Sequence, residues 1–196
     1  MGSAAVEQLD ALAELFDRAL RHARPDSVAI LGVAGGNGLG RISRDVTHRV
    51  CGVDINPDYL EAVRRRYGSL PGLELHCADL AIQTVHLAPV RLVHAALIFE
   101  HAGLDGCLRN ALAMVAEGGS LSVVLQLSSP QTPGVSASPY ASIQTLSGDF
   151  HLIDPAQFRE TLAANGFRQT LETRHPLPGG KAFWMGIFTR SHLPEL

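Results

Sequence analysis

Five short apolar runs, at residues 28–31, 49–53, 73–77, 91–98 and 120–127, recur along the first two-thirds of the chain, and helical patterns separate them. Strand–helix–strand repetition at this spacing leaves few architectures open. Parallel neighbours need a crossover, and crossover helices must cover the faces of the sheet they connect. The run 91–98 is mostly apolar and is expected near the sheet centre, where both faces are buried. Residues 4–23 set Leu9, Leu12, Phe16 and Leu20 at helical spacing. Leu39, Ile42 and Val46 predict a helix after the first run, and Leu60, Val63 and Tyr67 predict another. Asn56 caps the latter and Pro57 opens it. Residues 105–115 predict a further helix, stopped by Glu117-Gly118-Gly119.

The last third differs. Residues 128–150 are rich in Ser, Pro, Gly and Gln and carry no clean period. A short helix with Phe158 and Leu162 opens at Asp154-Pro155 and closes at Asn165-Gly166. Two strand-like runs, 167–175 and 181–189, are joined by Pro176-Leu177-Pro178-Gly179-Gly180. That connection is too short for a parallel crossover and predicts an antiparallel hairpin. The expected fold is α/β and doubly wound: a mostly parallel seven-stranded sheet with an antiparallel C-terminal strand and helices on both faces. At 196 residues the chain suits one core. The expected organisation is an N-terminal helix within 1–25 acting as a lid, a domain over 26–190 with a substrate-lid insertion at 128–150, and a tail at 191–196.

Composition narrows the function classes. The hydrophobic share is 46%, the charged share 18% and the formal net charge −3, which gives no broad attraction to nucleic acid or anionic membrane. No apolar run reaches the roughly 18 residues of a membrane span. Three separated cysteines, Cys51, Cys77 and Cys107, lack metal-ligand spacing and read as reduced thiols, so the expected location is cytoplasmic and no metal is expected. Arg64-Arg65-Arg66 reads as a solvated helix face.

The chemistry is concentrated where the first run enters Gly32-Val33-Ala34-Gly35-Gly36. Glycines let the backbone approach a ligand, and a helix start would offer unpaired N–H groups. Asp54 ends the second run, where an acid can accept from both hydroxyls of a ribose. Together they predict a nucleoside-containing cofactor. No register of residues 32–40 gives the dinucleotide fingerprint G-x-G-x-x-G.

The segment resembles instead the first motif of the class I S-adenosylmethionine-dependent methyltransferases, acid-apolar-G-x-G-x-G. Gly32 and Gly36 match its outer glycines, Ala34 stands at the middle one and Ile30 at the acid. The resemblance covers about residues 26–190 and implies a Rossmann-like fold with S-adenosyl-L-methionine as cofactor. It implies roles for Gly32, Val33, Ala34 and Gly36 at the glycine turn, and for Asp54 at the ribose with Ile55 beside the adenine. Asp79 and Leu80 would meet the adenine edge, and Ile98 and Phe99 the methionine part. Ala116-Glu117-Gly118-Gly119-Ser120-Leu121 resembles the turn into strand five, and Asn165-Gly166-Phe167 the family's A-G-F.

Methyl transfer from a sulfonium asks the protein mainly to bind, orient and exclude water; a base is needed only when the acceptor must lose a proton. His101, Tyr140 and His151 are the candidates on the expected substrate face. Phe99-Glu100-His101-Ala102 stands where nucleic-acid amine methyltransferases often carry D/N-P-P-aromatic, and no basic tract with interleaved aromatics is present. The expected reaction is therefore methyl transfer to O or N of a small-molecule acceptor by a monomer or homodimer. A nicotinamide-dependent oxidoreductase and a cofactor-binding protein that does not methylate are the alternatives.

Overall fold

The structure, a computed structural model, describes residues 4–127 and 151–191. Seven strands, β1 (Ser27–Leu31), β2 (Arg49–Asp54), β3 (Leu73–Cys77), β4 (Val90–Ala96), β5 (Val115–Leu127), β6 (Phe167–Pro176) and β7 (Ala182–Arg190), form one sheet in the order β3-β2-β1-β4-β5-β7-β6. The pairs from β3 to β5 are parallel, and β7 runs antiparallel to both β5 and β6. The doubly wound sheet and its antiparallel C-terminal strand are as the sequence predicts. The described helices are α1 (Ala4–Ala23), α2 (Pro57–Tyr67), α3 (Phe99–Ala102), α4 (Asp105–Met114) and α5 (Pro155–Ala164).

Side chains alternate across the central strands, so each strand feeds two apolar layers. Ala29 and Leu31 of β1, Val93 of β4 and Val123 of β5 join Cys107 and Met114 of α4 and Phe158 and Leu162 of α5. Val28 and Ile30 of β1, Leu92 of β4 and Val124 of β5 join Phe16 and Ala19 of α1 and Leu60 and Val63 of α2. The Asn56 side chain caps α2 by accepting from Asp58 N, and Pro57 opens it.

The residues expected to act as an N-terminal lid are largely a layer of this core. Ala11, Leu15, Phe16, Ala19 and Leu20 are buried, while Leu9 and Leu12 are half-buried. The Phe16 ring lies 4.7 Å from that of His94 on β4. His94 is itself buried and shares a 3.0 Å hydrogen bond with Ser122 of β5, and burial pulls its pKa down to about 3. It is therefore a neutral packed group at ordinary pH. Along α1 the Leu9 carbonyl accepts from Asn37 and Ala13 and Phe16 pack against Gly38, so this face of the helix borders the segment that follows the glycine turn.

One expected element is absent. In place of the helix predicted from Leu39, Ile42 and Val46 there is a single 3₁₀ turn, Leu39–Arg41, followed by loop. Gly36 and Gly38 adopt φ of 82° and 83°, incompatible with a right-handed helix, and each glycine disfavours helix by about 1 kcal/mol relative to alanine. Phe16 of α1 packs against Gly38, where an added Cβ would lie 3.0 Å from its ring. Leu39 and Ile42 are still buried, so the apolar spacing reports packing without a helix.

Among the described residues no helix is long and apolar enough to cross a membrane. Arg64 and Arg65 approach Glu61, and Arg66 lies over the Tyr67 ring, which is the solvated helix face expected of that run.

Phe158 joins the helical layer to the sheet, 5.3 Å from the Phe99 ring and 6.5 Å from that of Phe188, and is 1% exposed. Phe158→Ala is expected to lower unfolding free energy by about 3–5 kcal/mol, and Ile82→Ala, at an 83% exposed side chain, by less than about 0.5 kcal/mol. Urea denaturation of the two variants checks the contrast.

Candidate functional site

The strand order reverses between β1 and β4, and the residues of interest stand beyond the carboxyl ends of β1 to β4, where crevices form in open α/β sheets. The glycine turn leaves β1 with the Gly32 and Val33 N–H groups both donating to the Val53 carbonyl, at 2.9 and 3.1 Å. Gly32 takes φ 71°, and a Cβ there would come within 3.0 Å of Ile98 Cδ1, so Ile98 of the β4–α3 junction closes over the start of the turn. Gly36, at φ 82°, would place a Cβ 2.7 Å from the Tyr67 ring. Ala34 also has positive φ, 46°, a conformation that glycine adopts without penalty and L-residues rarely enter. The methyl at this position is therefore tolerated against a backbone shape that suits the glycine of the family motif.

Asp54 organises the turn from the end of β2. Its Oδ2 accepts from Ala34 N at 2.8 Å and its Oδ1 from Asn56 N at 2.9 Å, while only 7% of the residue is exposed. Burial raises its pKa, and the backbone donors, Asn56 first, pull it back. A carboxylate offers about four lone-pair sites, so acceptor capacity remains beyond these backbone donors. Ile55, beside it, is 53% exposed and offers an apolar face at the rim. Cys77 is exposed there too, its thiol 3.5 Å from the Ile55 carbonyl, whereas Cys51 and Cys107 are buried and their thiols are pushed up to about 11 and about 12.

Asp79 closes a tight turn after β3. Its Oδ1 accepts from Ala81 N at 2.9 Å, and its N–H donates to Gln83 Oε1 at 2.7 Å. The Leu80 side chain is buried, so this residue presents only backbone to the crevice. Asp79 Oδ2 and the Leu80 N–H have no hydrogen-bond partner among the described residues, which leaves one acceptor next to one donor.

The other predicted residues fall in different settings. Val33 is 4% exposed with its side chain in the core, so only its backbone belongs to the turn. Phe99 is 1% exposed, its ring packed on Phe158, and its side chain is core rather than crevice. Both are apolar residues adjoining site positions, which sequence spacing cannot separate from lining residues. His101 is half-buried on α3, and burial lowers its pKa. His151 is exposed, with its N–H donating to the Glu100 carbonyl at 3.0 Å, so the chain re-enters the described structure beside α3. Tyr140 lies outside the described residues.

Glu100 was not singled out from sequence, where it is one acid in an apolar stretch. It is fully buried, its Oε1 accepts from Gln126 N of β5 at 2.8 Å, and its Oε2 is buried with no hydrogen-bond partner among the described residues. Burial raises its pKa to about 7, partly offset by the Gln126 N–H. The folded state keeps this proton between the ordinary carboxyl value and about 7, where the unfolded chain has lost it. Stability from this group therefore declines as pH rises from about 4.5 through 7, by about 3 kcal/mol in total. Glu100→Gln keeps the acceptor for Gln126 and removes the titration. Relative to this variant, the parent is expected to lose thermal stability between pH 5 and pH 8, as read by melting curves of both.

No family model matches the chain, and no curated protein matches it. Solved structures do. The N-methyltransferase NodS of Bradyrhizobium japonicum, in complex with S-adenosyl-L-homocysteine, superposes with a TM-score of 0.68 at 14% identity over 95% of this chain and 87% of its own. The 1,6-didemethyltoxoflavin-N1-methyltransferase of Burkholderia thailandensis, with bound 1,6-didemethyltoxoflavin and S-adenosylhomocysteine, gives 0.68 at 16% over 94% and 79%. The [4+2]-cyclase SpnF gives 0.68 at 13% over 93% and 81%. Identities this low establish architecture, and with the strand order and C-terminal hairpin they show that the chain has the fold of the class I S-adenosylmethionine-dependent methyltransferases.

Proposed function

We propose that the protein is an S-adenosyl-L-methionine-dependent methyltransferase acting on O or N of a small-molecule acceptor. The observation that carries this is the pair of acids at successive strand ends. Asp54 is held against the glycine turn with lone pairs to spare, and Asp79 Oδ2 stands beside the Leu80 N–H as a matched acceptor and donor. The first suits a ribose diol. The second suits the amino group and ring nitrogen of adenine. The exposed face of Ile55 suits the flat base between them.

When bound, the cofactor supplies a methyl group on a sulfonium, so the reaction asks little acid–base work of the protein. Gly32, Ala34 and Gly36 set the backbone of the turn, and Ile98 limits the space above Gly32. His101, its pKa lowered by burial, is neutral near pH 7 and able to take a proton from an acceptor N–H or O–H. His151 and Tyr140 remain candidates for acceptor contacts. The first turns of α1 and residues 128–150 would cover the acceptor.

Ile30 favours a second reading. At the motif's acid position it is a buried core side chain and brings no carboxylate to the amino-acid end of a cofactor. A protein of this fold that binds the cofactor without transferring its methyl is the alternative, and a cyclase with the same fold keeps it in view.

Titration calorimetry separates the readings. S-adenosylhomocysteine is expected to bind and NAD to give no heat; Asp54→Ala is expected to weaken the former at least about tenfold through loss of charge-assisted hydrogen bonds. Binding of NAD alone, or an Asp54→Ala protein that binds S-adenosylhomocysteine like the parent, would contradict the site assignment. Methyl transfer to a metabolite panel then decides between the methylating and non-methylating forms.

A further inference from the structure

We propose that Asn110 of α4 is the positioning residue that makes the nucleoside site selective for a 6-amino purine, an inference that rests on the cofactor reading above. Asn110 is 5% exposed and spends its side chain on one short stretch of backbone. Its amide nitrogen donates to the Leu80 carbonyl at 3.0 Å and to the Gln83 carbonyl at 2.8 Å, and its oxygen accepts from Val85 N at 2.9 Å. One helical turn earlier on the same face, Gly106 has no side chain, and any Cβ there would collide with the Ala81 carbonyl. The two residues let α4 grip the turn at backbone contact distance.

The consequence lies in which peptide groups are fixed. The peptide between Leu80 and Ala81 is held at both ends, its N–H by Asp79 Oδ1 at 2.9 Å and its carbonyl by Asn110. The Asp79 N–H is held by Gln83 Oε1, and the Gln83 N–H returns to the Asp79 carbonyl at 2.8 Å. With these groups committed, Asp79 Oδ2 and the Leu80 N–H are the acceptor and donor left over, and their relative placement depends on the grip. Adenine presents a donor and then an acceptor along its edge and complements that pair. Hypoxanthine presents an acceptor and then a donor, so both contacts become like against like. A misaligned pair would lose much of this discrimination, because leaving polar groups unpaired is what rejects the wrong base.

The test is a ratio of affinities. S-adenosylhomocysteine and S-inosylhomocysteine are titrated calorimetrically into the 196-residue parent, Asn110→Asp and Gln83→Ala, with a melting curve for each protein. Asn110→Asp keeps the acceptor for Val85 N and turns the donor into an oxygen facing two carbonyls. Gln83→Ala removes the Asp79 N–H partner at an exposed side chain, so it leaves the core intact. The parent is expected to prefer the adenine nucleoside by about 10- to 100-fold. Asn110→Asp is expected to bring the ratio within about threefold, and Gln83→Ala to lower it by at least about threefold. A residue that matters only for stability would weaken both nucleosides in parallel, and an unchanged ratio in both variants overturns the proposal. So does a parent that binds the two equally. A parent that binds neither nucleoside overturns the cofactor reading itself.

Discussion

The arrangement at the head of the sheet depends on one buried carboxylate. Asp54 receives the Ala34 N–H from the turn after β1 and the Asn56 N–H from the start of α2, so one side chain sets both the glycine turn and the entry into the next helix. The backbone around it has little other support. The Gly32 and Val33 N–H groups share a single carbonyl, Ala34 is in the left-handed region, and no α-helix follows to absorb the remaining N–H groups. Two charge-assisted hydrogen bonds offset the cost of burying the charge, and burial still leaves the carboxyl pKa raised.

Beyond Asp54 the site is built by the same device, polar side chains that secure loops at strand ends. Asn110 secures the stretch after β3, and Glu100 secures the α3 side to the end of β5 through Gln126. The sheet supplies the fixed frame because its central strands are buried on both faces, and the loops hang from it by a few bonds each. A nucleoside lying across Asp79, Asp54 and the glycine turn extends from β3 towards β1 and β4, which leaves the α3 side, with Glu100 and His101, for an acceptor. That order of parts connects the proposed cofactor site to the proposed chemistry.

How much of this was legible in the sequence follows from what each signal measures. The central strands could be read because strands buried on both faces are near-continuous apolar runs. The hairpin could be read because five residues permit only an antiparallel return. Asp54 and Asp79 could be singled out because each is an acid at the end of an apolar run, and each does stand at a strand end accepting backbone N–H groups. The helix after Gly36 could not, since Leu39 and Ile42 satisfy helical spacing while being buried from a 3₁₀ turn and loop. Glu100, Asn110 and Gln83 were missed for a different reason. Their roles come from hydrogen bonds to backbone 4 to 30 residues away, and the identity of a polar side chain carries no mark of which peptide it meets. The one sequence trace is Gly106, four residues before Asn110, a glycine inside a helix where only close backbone approach explains it.

The central claim is that one nucleoside lies across three strand ends of this sheet. Amide chemical shifts recorded by nuclear magnetic resonance during a titration with S-adenosylhomocysteine test it most directly. The account predicts that the amides of residues 32–36, Ile55, Leu80 and Ile98 move together along one saturable curve, with Leu80 shifted downfield by its new acceptor. Saturable shifts confined to β6, β7 and α5, with the Ala34 and Leu80 amides unmoved, would contradict it.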